Sequence, residues 1–218
     1  MEADRGSRSD LRGDCPKAPG KRGRRPRREQ IASLLEQLDP LSAVEKLRTL
    51  PPSQVIHALL SLLSTGNASL RSRAAGALGL VASDLALVDI EAARNVMRRL
   101  MWSVNDESGG IGWGATEAMA EILARHEGLA REYAPILISY LREDGNFLGH
   151  GPLEQGLLLA IRRLAETRPD ILRSHDASRY VRPFLQARDP ASRDLAAQAL
   201  ERLGEEAVCE TKTLLEER

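Results

Sequence analysis

Cysteine is nearly absent from the 218 residues: Cys15 and Cys209 stand far apart, with no CxxC pair. That excludes a disulfide framework and a cysteine-based zinc site. Aromatic residues are scarce as well, 3% of the chain, with two Trp, three Tyr and two Phe. No apolar run reaches the roughly 18 residues that a membrane span needs, and residues 1–28 have no apolar stretch of the signal-peptide type. Segments that alternate apolar and polar residues are also missing, which argues against half-buried strands. The expectation is a cytoplasmic protein, without membrane association, of one or two domains.

Charge of one sign is not in excess, because 31 basic residues balance 31 acidic ones, but the balance is uneven along the chain. Residues 1–28 hold ten basic and four acidic groups, a net of +6, so the remaining 190 residues carry 21 and 27, a net of −6. The leading segment combines these charges with Pro16, Pro19, Pro26 and four glycines and has almost nothing apolar. Such a composition cannot offset its own ordering entropy, so residues 1–28 are expected to form a disordered basic arm ahead of a domain over 29–218. Two readings of the arm stand side by side. It could touch nucleic acid or an acidic partner, or it is a solubilising extension, since it lacks aromatics and regular spacing. Nucleic acid enters only through this arm. Arginine outnumbers lysine 27 to 4, which reflects the source genome more than the chemistry.

What the chain does contain, from residue 29 onward, is helix after helix. Apolar residues recur at three- and four-residue spacing, at Ile31, Leu34, Leu35, Leu38, at Val55, Leu59, Leu62, Leu63, and again at Leu78, Val81, Ala82 and Val96, Leu100, Met101. Breakers punctuate them at Pro51-Pro52, Gly66-Asn67, Gly109-Gly110, Gly145, Gly151-Pro152, Asp189-Pro190 and Gly204. Asn67, Asp89 and Asp189 are placed as helix caps. The fold class is all-α.

The segment Asn67-Ala-Ser-Leu-Arg71-Ser-Arg73-Ala74-Ala75-Gly-Ala-Leu78 aligns with Asp189-Pro-Ala-Ser-Arg193-Asp-Leu195-Ala196-Ala197-Gln-Ala-Leu200. The offset of 122 residues is three steps of about 40. Degenerate copies lie at 114–122 and 153–161, and each copy follows another amphipathic stretch, at 53–64, 90–103, 129–142 and 177–187. Small residues such as Ala74, Ala75, Ala118 and Ala197 would let neighbouring helices approach closely.

This pattern, a cap, an arginine four positions on and an Ala-Ala-x-Ala-Leu strip, resembles the HEAT repeat over about residues 52–204. The resemblance implies a right-handed α-α superhelix, a solenoid of about four helix pairs whose second helices line the concave face. Helices at 29–38, 41–49 and 205–216 would cap it. Such a fold does not fix a function.

The two middle copies depart from the repeat in their turns. The first turn runs through Asn105-Asp106-Glu107-Ser108-Gly109-Gly110-Ile111-Gly112-Trp113-Gly114, and the second through Glu143-Asp144-Gly145-Asn146-Phe147-Leu148-Gly149-His150-Gly151-Pro152. In adjacent repeats they would emerge on one edge, on the order of 10 Å apart. Glu117 and Glu121 share a helix face, and Glu154 falls near the start of the next second helix. Asn105, Asp106, Glu107, Gly110, Trp113, Glu117, Glu121, Asn146, His150 and Glu154 are therefore expected to converge as a polar binding pocket with an aromatic wall, its glycines permitting positive φ or close backbone approach. Competing readings remain at each residue: Trp113 divides between packing and contact, Asp106 and Glu107 could cap helices, the two glutamates could form a solvated face, and His150 could be an ordinary turn histidine. Trp102 is expected in the core beside Met101.

The block Asn105 to Trp113, with Glu117 and Asp144 to Leu148, is similar to one in a family of small bacterial HEAT-repeat proteins of anaerobic sulfate-reducing lineages. The resemblance implies a fold and a site and transfers no reaction. A metal could draw on Asp106, Glu107, Glu117, His150 and Glu154, but no HExxH, paired Glu-x-x-His or EF-hand spacing supports one, and no cofactor is expected. Ser108 lacks a nucleophile-elbow setting and Cys209 lies away from any histidine. The turn glycines neither follow a strand nor precede a P-loop Lys-Ser/Thr. HEAT-like DNA glycosylases offer an enzymatic alternative, but the net −6 of residues 29–218 opposes duplex binding, which phosphate neutralisation dominates. The leading expectation is a non-enzymatic scaffold that binds a protein or peptide, with a basic segment, including the chain's own arm, suited to the acidic edge.

Overall fold

The computed structural model describes residues 25–105, 112–149 and 151–205. Helices α1 (Arg25–Gln37), α2 (Pro40–Arg48), α3 (Pro52–Leu62), α4 (Ala68–Val88), α5 (Ile90–Val104), α6 (Ala115–Arg125) and α7 (Glu127–Ser139) lead into α8 (Gly151–Thr167). The short α9 (Pro169–Ser174), α10 (Ala177–Val181), a 3₁₀ turn (Arg182–Gln186) and α11 (Pro190–Arg202) follow. No strand occurs among the described residues. The chain is all-α.

The helix ends follow local chemistry. The side chains of Asn67, Asp89 and Asp189 accept from the backbone N–H of Leu70, Ala92 and Ser192, at 3.1, 3.0 and 2.8 Å, and so satisfy donors that a helix start leaves open. Asp39 caps α2 in the same way through Leu41 and Ser42. Gly204, at φ +79°, ends α11 in a conformation that costs a glycine little.

Three boundaries differ from the sequence reading. Helix α1 begins at Arg25, four residues inside the segment assigned to the arm, because arginine is a good helix former and Pro26 is tolerated in a first turn. Helix α4 continues to Val88, since no breaker separates the repeat strip from Asp89. The stretch 177–187 is a one-turn helix followed by a 3₁₀ turn; Asp176, left-handed at φ 52°, precedes it and Pro183 interrupts it. The closing helix expected at 205–216 lies beyond the described residues.

The helices stack in pairs, α3 with α4, α5 with α6, α7 with α8, and the α9–α10–3₁₀ segment with α11, while α1 and α2 cover the open side of α3 and α4. The second helices α4, α6, α8 and α11 pack extensively on one another in succession, whereas the first helices α3, α5 and α7 touch each other only slightly. A layer that is tight on one side and splayed on the other curves, so the second helices line the inner face of a solenoid. One contiguous core runs the length of the stack, from Ile31 to Leu203.

Small residues make the tight layer possible. Ala74, Ala75, Ala118, Ala120, Ala160 and Ala196 are fully buried between second helices. A Cβ added at Gly79 of α4 would lie 2.5 Å from the Glu121 Cβ and 3.0 Å from its carbonyl carbon on α6. Three residues earlier, a Cβ at Gly76 would meet nothing within 4 Å. The two glycines therefore respond oppositely to alanine. Gly76→Ala is expected to stabilise the fold by about 0.5–1 kcal/mol through helix propensity alone. Gly79→Ala must push α4 from α6, and a net loss of about 1–2 kcal/mol is expected once overpacking outweighs propensity. Paired urea unfolding curves of the two variants check both signs.

Candidate functional site

The second helices run parallel and in a fixed register. Thr116 and the Trp113 carbonyl of the α6 start face Gly156 near the start of α8, and further along Arg163 Nε donates to Glu121 Oε1 at 2.9 Å. Between α8 and α11, Gln155 donates to Asp189 at 2.9 Å, and Arg162 donates to Gln198 at 3.1 Å. The turns that enter α6 and α8 therefore emerge at one edge of the stack.

The described flanks of the first turn are tied down. The Gly112 N–H donates to the Ser103 carbonyl at 2.9 Å and the Gly114 N–H to the Leu63 carbonyl at 3.1 Å, anchoring the turn to α5 and to the end of α3. A Cβ at Gly114 would sit 2.7 Å from the Arg71 Cγ. Neither glycine has positive φ, since Gly204 is the one such glycine among the described residues. Gly112 and Gly114 serve close packing here. Asn105 closes α5, its N–H donating to the Trp102 carbonyl at 3.2 Å. Trp113 is half-buried against the core. Asp106, Glu107, Gly110 and His150 lie outside the described residues.

Trp102 is 83% exposed, not buried. The buried stripe of α5 is Ala93, Val96, Met97, Leu100 and Val104. Two helical steps of about 100° carry Trp102 from Leu100 to the opposite face.

Glu117, Glu121, Asn146 and Glu154 do not share one recess. Glu117 and Glu121 face the inner layer, where a recess of about 160 Å³ between α4, α6 and α8 is floored by Ala75, Gly76, Ala120 and Ala160. Glu121 is neutralised there by Arg125 and by Arg163, and the network continues from Arg163 to Glu166 at 3.6 Å and from Glu166 to Arg202 at 2.9 Å. This ion-pair ladder crosses α6, α8 and α11, and its partial burial limits screening by salt. Glu117 has no cation within 4 Å among the described residues. Burial pushes its carboxyl above the ordinary glutamate value, Arg71 draws it partly back, and Glu121 adds to the rise. Asn146 belongs to the second turn and holds it, its side-chain amide donating to Ser139 Oγ and its N–H to the Ser139 carbonyl, both at 3.0 Å.

Glu154 instead lines a separate cleft. This opening of about 940 Å³ lies between the second turn, the start of α8, the α10–3₁₀ segment and the start of α11. Phe147 of the turn is exposed at its rim. Tyr180 forms part of the wall, with the guanidinium carbons of Arg142 and Arg179 5.1 and 5.7 Å from its ring centre. Arg142 also grips Asp144 through two bonds of 3.0 and 2.9 Å, which hold the Asp144 carboxyl below its usual range. Asp189, on the far side, is held down by the Ser192 N–H and by Gln155. Sequence reading singled out Phe147's turn and Glu154 but not Tyr180, Arg142, Arg179 or Arg188, which converge from three separate segments. Among the described residues, no group of three His, Cys, Asp or Glu side chains could hold a metal, and no helix is long and apolar enough to cross a membrane.

The raised Glu117 carboxyl has a signed consequence. A group with a higher pKa folded than unfolded binds its proton more tightly in the native state, so its ionised form weakens the fold. That cost is present at neutral pH and disappears as pH falls through the folded value toward the ordinary 4.5. Glu117→Gln is expected to be more stable than the parent at neutral pH, with the gap closing below about pH 4.5, as urea melts across that range would record. A Gln variant that is less stable at neutral pH would mean that the charged carboxylate makes a favourable contact.

No family model matches the chain, and no curated protein matches it in sequence. Solved structures do resemble it. An engineered protein is 18% identical, with 81% of this chain and 78% of that chain covered and a TM-score of 0.46. A designed armadillo repeat protein, solved in complex with the peptide (KR)4, is 17% identical, with coverage of 79% and 80% and a TM-score of 0.46.

Proposed function

We propose that this solenoid is a non-enzymatic interaction module that binds a protein or peptide segment in the cleft beside the second long turn. The observation that carries the reading is the makeup of that cleft. Phe147, Tyr180 and Phe184 line an opening of about 940 Å³ together with Arg142, Arg179 and Arg188. Aromatic and arginine side chains are the types that dominate binding energy at protein interfaces, because they contribute large contact area and several donors at once. Phe147, 42% exposed, leaves an apolar surface that water covers poorly.

The charges around the cleft define the partner further. Asp144 is occupied by Arg142, and Asp189 by its capping role, while Glu154, Arg179 and Arg188 form no ion pair within 4 Å among the described residues. The favoured ligand is an extended segment with an apolar or aromatic anchor for the Phe147–Tyr180 surface, flanked by charges of both signs. The residues of the two turns at this edge that lie outside the described ones, Asp106, Glu107, Gly110 and His150, are proposed to add to the same interface.

Selection of peptides from a random displayed library on the immobilised full chain tests this reading. Enriched peptides should carry an aromatic or branched apolar anchor. Phe147→Ala and Tyr180→Ala should each weaken them by about tenfold or more, as truncation of an interface hot spot does. The melting temperature of Phe147→Ala should stay close to the parent's, because that side chain lies at the rim. Enriched peptides that bind both variants as well as the parent would rule the cleft out.

A further inference from the structure

We infer a second binding site, for the phosphate backbone of a nucleic acid, on the side of the molecule built from α1, α3 and α5. A cleft of about 680 Å³ opens there, and its ionisable lining consists of Arg27, Arg28, His57 and Arg99. No acidic residue lines it. Its other polar lining is neutral: the Ser53 hydroxyl and the Gln54 amide can donate to an anion, while the Ser61 hydroxyl donates to the Ala58 carbonyl at 2.7 Å.

Three features mark this cleft as unusual for the protein. Several arginines outside it are paired with carboxylates, Arg94 of α5 with Glu91 and Glu132, Arg48 with Asp84, and Arg131 with Glu127, and the unpaired Arg179 and Arg188 share their cleft with Glu143, Asp144, Glu154 and Asp189. Arg27, Arg28 and Arg99 have no carboxylate within 4 Å among the described residues. The Arg99 guanidinium instead approaches His57, with Nη2 3.4 Å from Nδ1, so two basic groups face each other across the opening. Finally, Arg27 and Arg28 continue directly from Lys21, Arg22, Arg24 and Arg25, the most basic run of a segment with net charge +6.

The number of cations selects the ligand class. A single phosphorylated side chain would engage one or two guanidinium groups and leave the rest facing one another. A polyanion with a phosphate at every unit can neutralise Arg27, Arg28 and Arg99 together, releasing a counterion at each phosphate. The site lies on the first-helix side of the stack, apart from the cleft of the proposed peptide interface, so the two readings stand or fall separately.

Fluorescence anisotropy of the full chain with labelled single-stranded and duplex oligonucleotides tests the inference. Affinity should fall linearly on a logarithmic scale between about 50 and about 200 mM salt. The triple variant Arg27→Ala/Arg28→Ala/Arg99→Ala should bind about tenfold or more weakly, and its salt slope should be shallower by about one for each phosphate that is no longer neutralised. Arg99→Gln alone should show a smaller loss in the same direction, and Arg131→Ala, on a paired surface arginine, should show none. Melting curves keep a folding defect distinct from a binding one. The inference is overturned by an absence of binding at low salt. Triple-variant binding equal to the parent's, with the affinity in the arm alone, would do the same, as would a phosphoserine peptide that binds where oligonucleotides do not.

Discussion

The close approach of the second helices is the constraint on which the rest of the structure depends. At Gly79 the α4 backbone comes so near α6 that a methyl group does not fit, and buried alanines carry the same seam onward through α8 to α11. Helices this close cannot slide past one another, because side chains in a packed interior occupy discrete positions. The seam therefore sets a register, and the polar side chains beside it fall into line across successive helices, Glu121 against Arg163, Glu166 against Arg202, and Gln155 against Asp189. The ladder follows from the seam. It adds specificity to a geometry that small residues have already imposed.

The same register determines what the two long turns do. The first must return from α5 and reach back to the carbonyl that ends α3, and Gly112 and Gly114 meet side chains of α5 and α4 on the way. Their missing side chains are used in packing. The described part of the second turn closes on itself, through Ser139, Tyr140 and Arg142. That leaves Phe147 at the surface beside Tyr180. Two turns with similar glycine content thus divide into one whose described flanks are structural and one that frames a cleft.

How much of this was legible in the sequence depended on the range over which each signal acts. The caps at Asn67, Asp89 and Asp189 and the breakers between helices are local chemistry, and they located most helix ends. The repeat strip is a close-packing surface at Ala74, Ala75 and Ala118, which are buried, while Ala197 is only partly buried. Adjacency misled where angle mattered: Trp102 follows Met101 but points away from the buried stripe. The left-handed Asp176 gave no sequence warning, as no glycine stands there. The cleft was invisible for a different reason. Arg142, Phe147, Tyr180 and Arg188 meet only after the last helix pair has folded, and no spacing along the chain encodes that meeting.

Net charge concealed the most consequential arrangement. A chain with equal numbers of acids and bases can pair many of them, and on the inner face Arg125, Arg163 and Arg202 are each matched to a glutamate. Helix α5 shows the division within a single element. Arg94 is held by Glu91 and Glu132, whereas Arg99, a turn and a half further on, faces only His57. Cations already matched inside a ladder contribute little field beyond it, because each is cancelled a few ångströms away. Unmatched ones in a concave opening have their field concentrated by the low-dielectric walls around them. The molecule therefore uses its inner-face charges to hold adjacent helices in register, and keeps the charges of the α1–α3–α5 side available to whatever approaches from solvent.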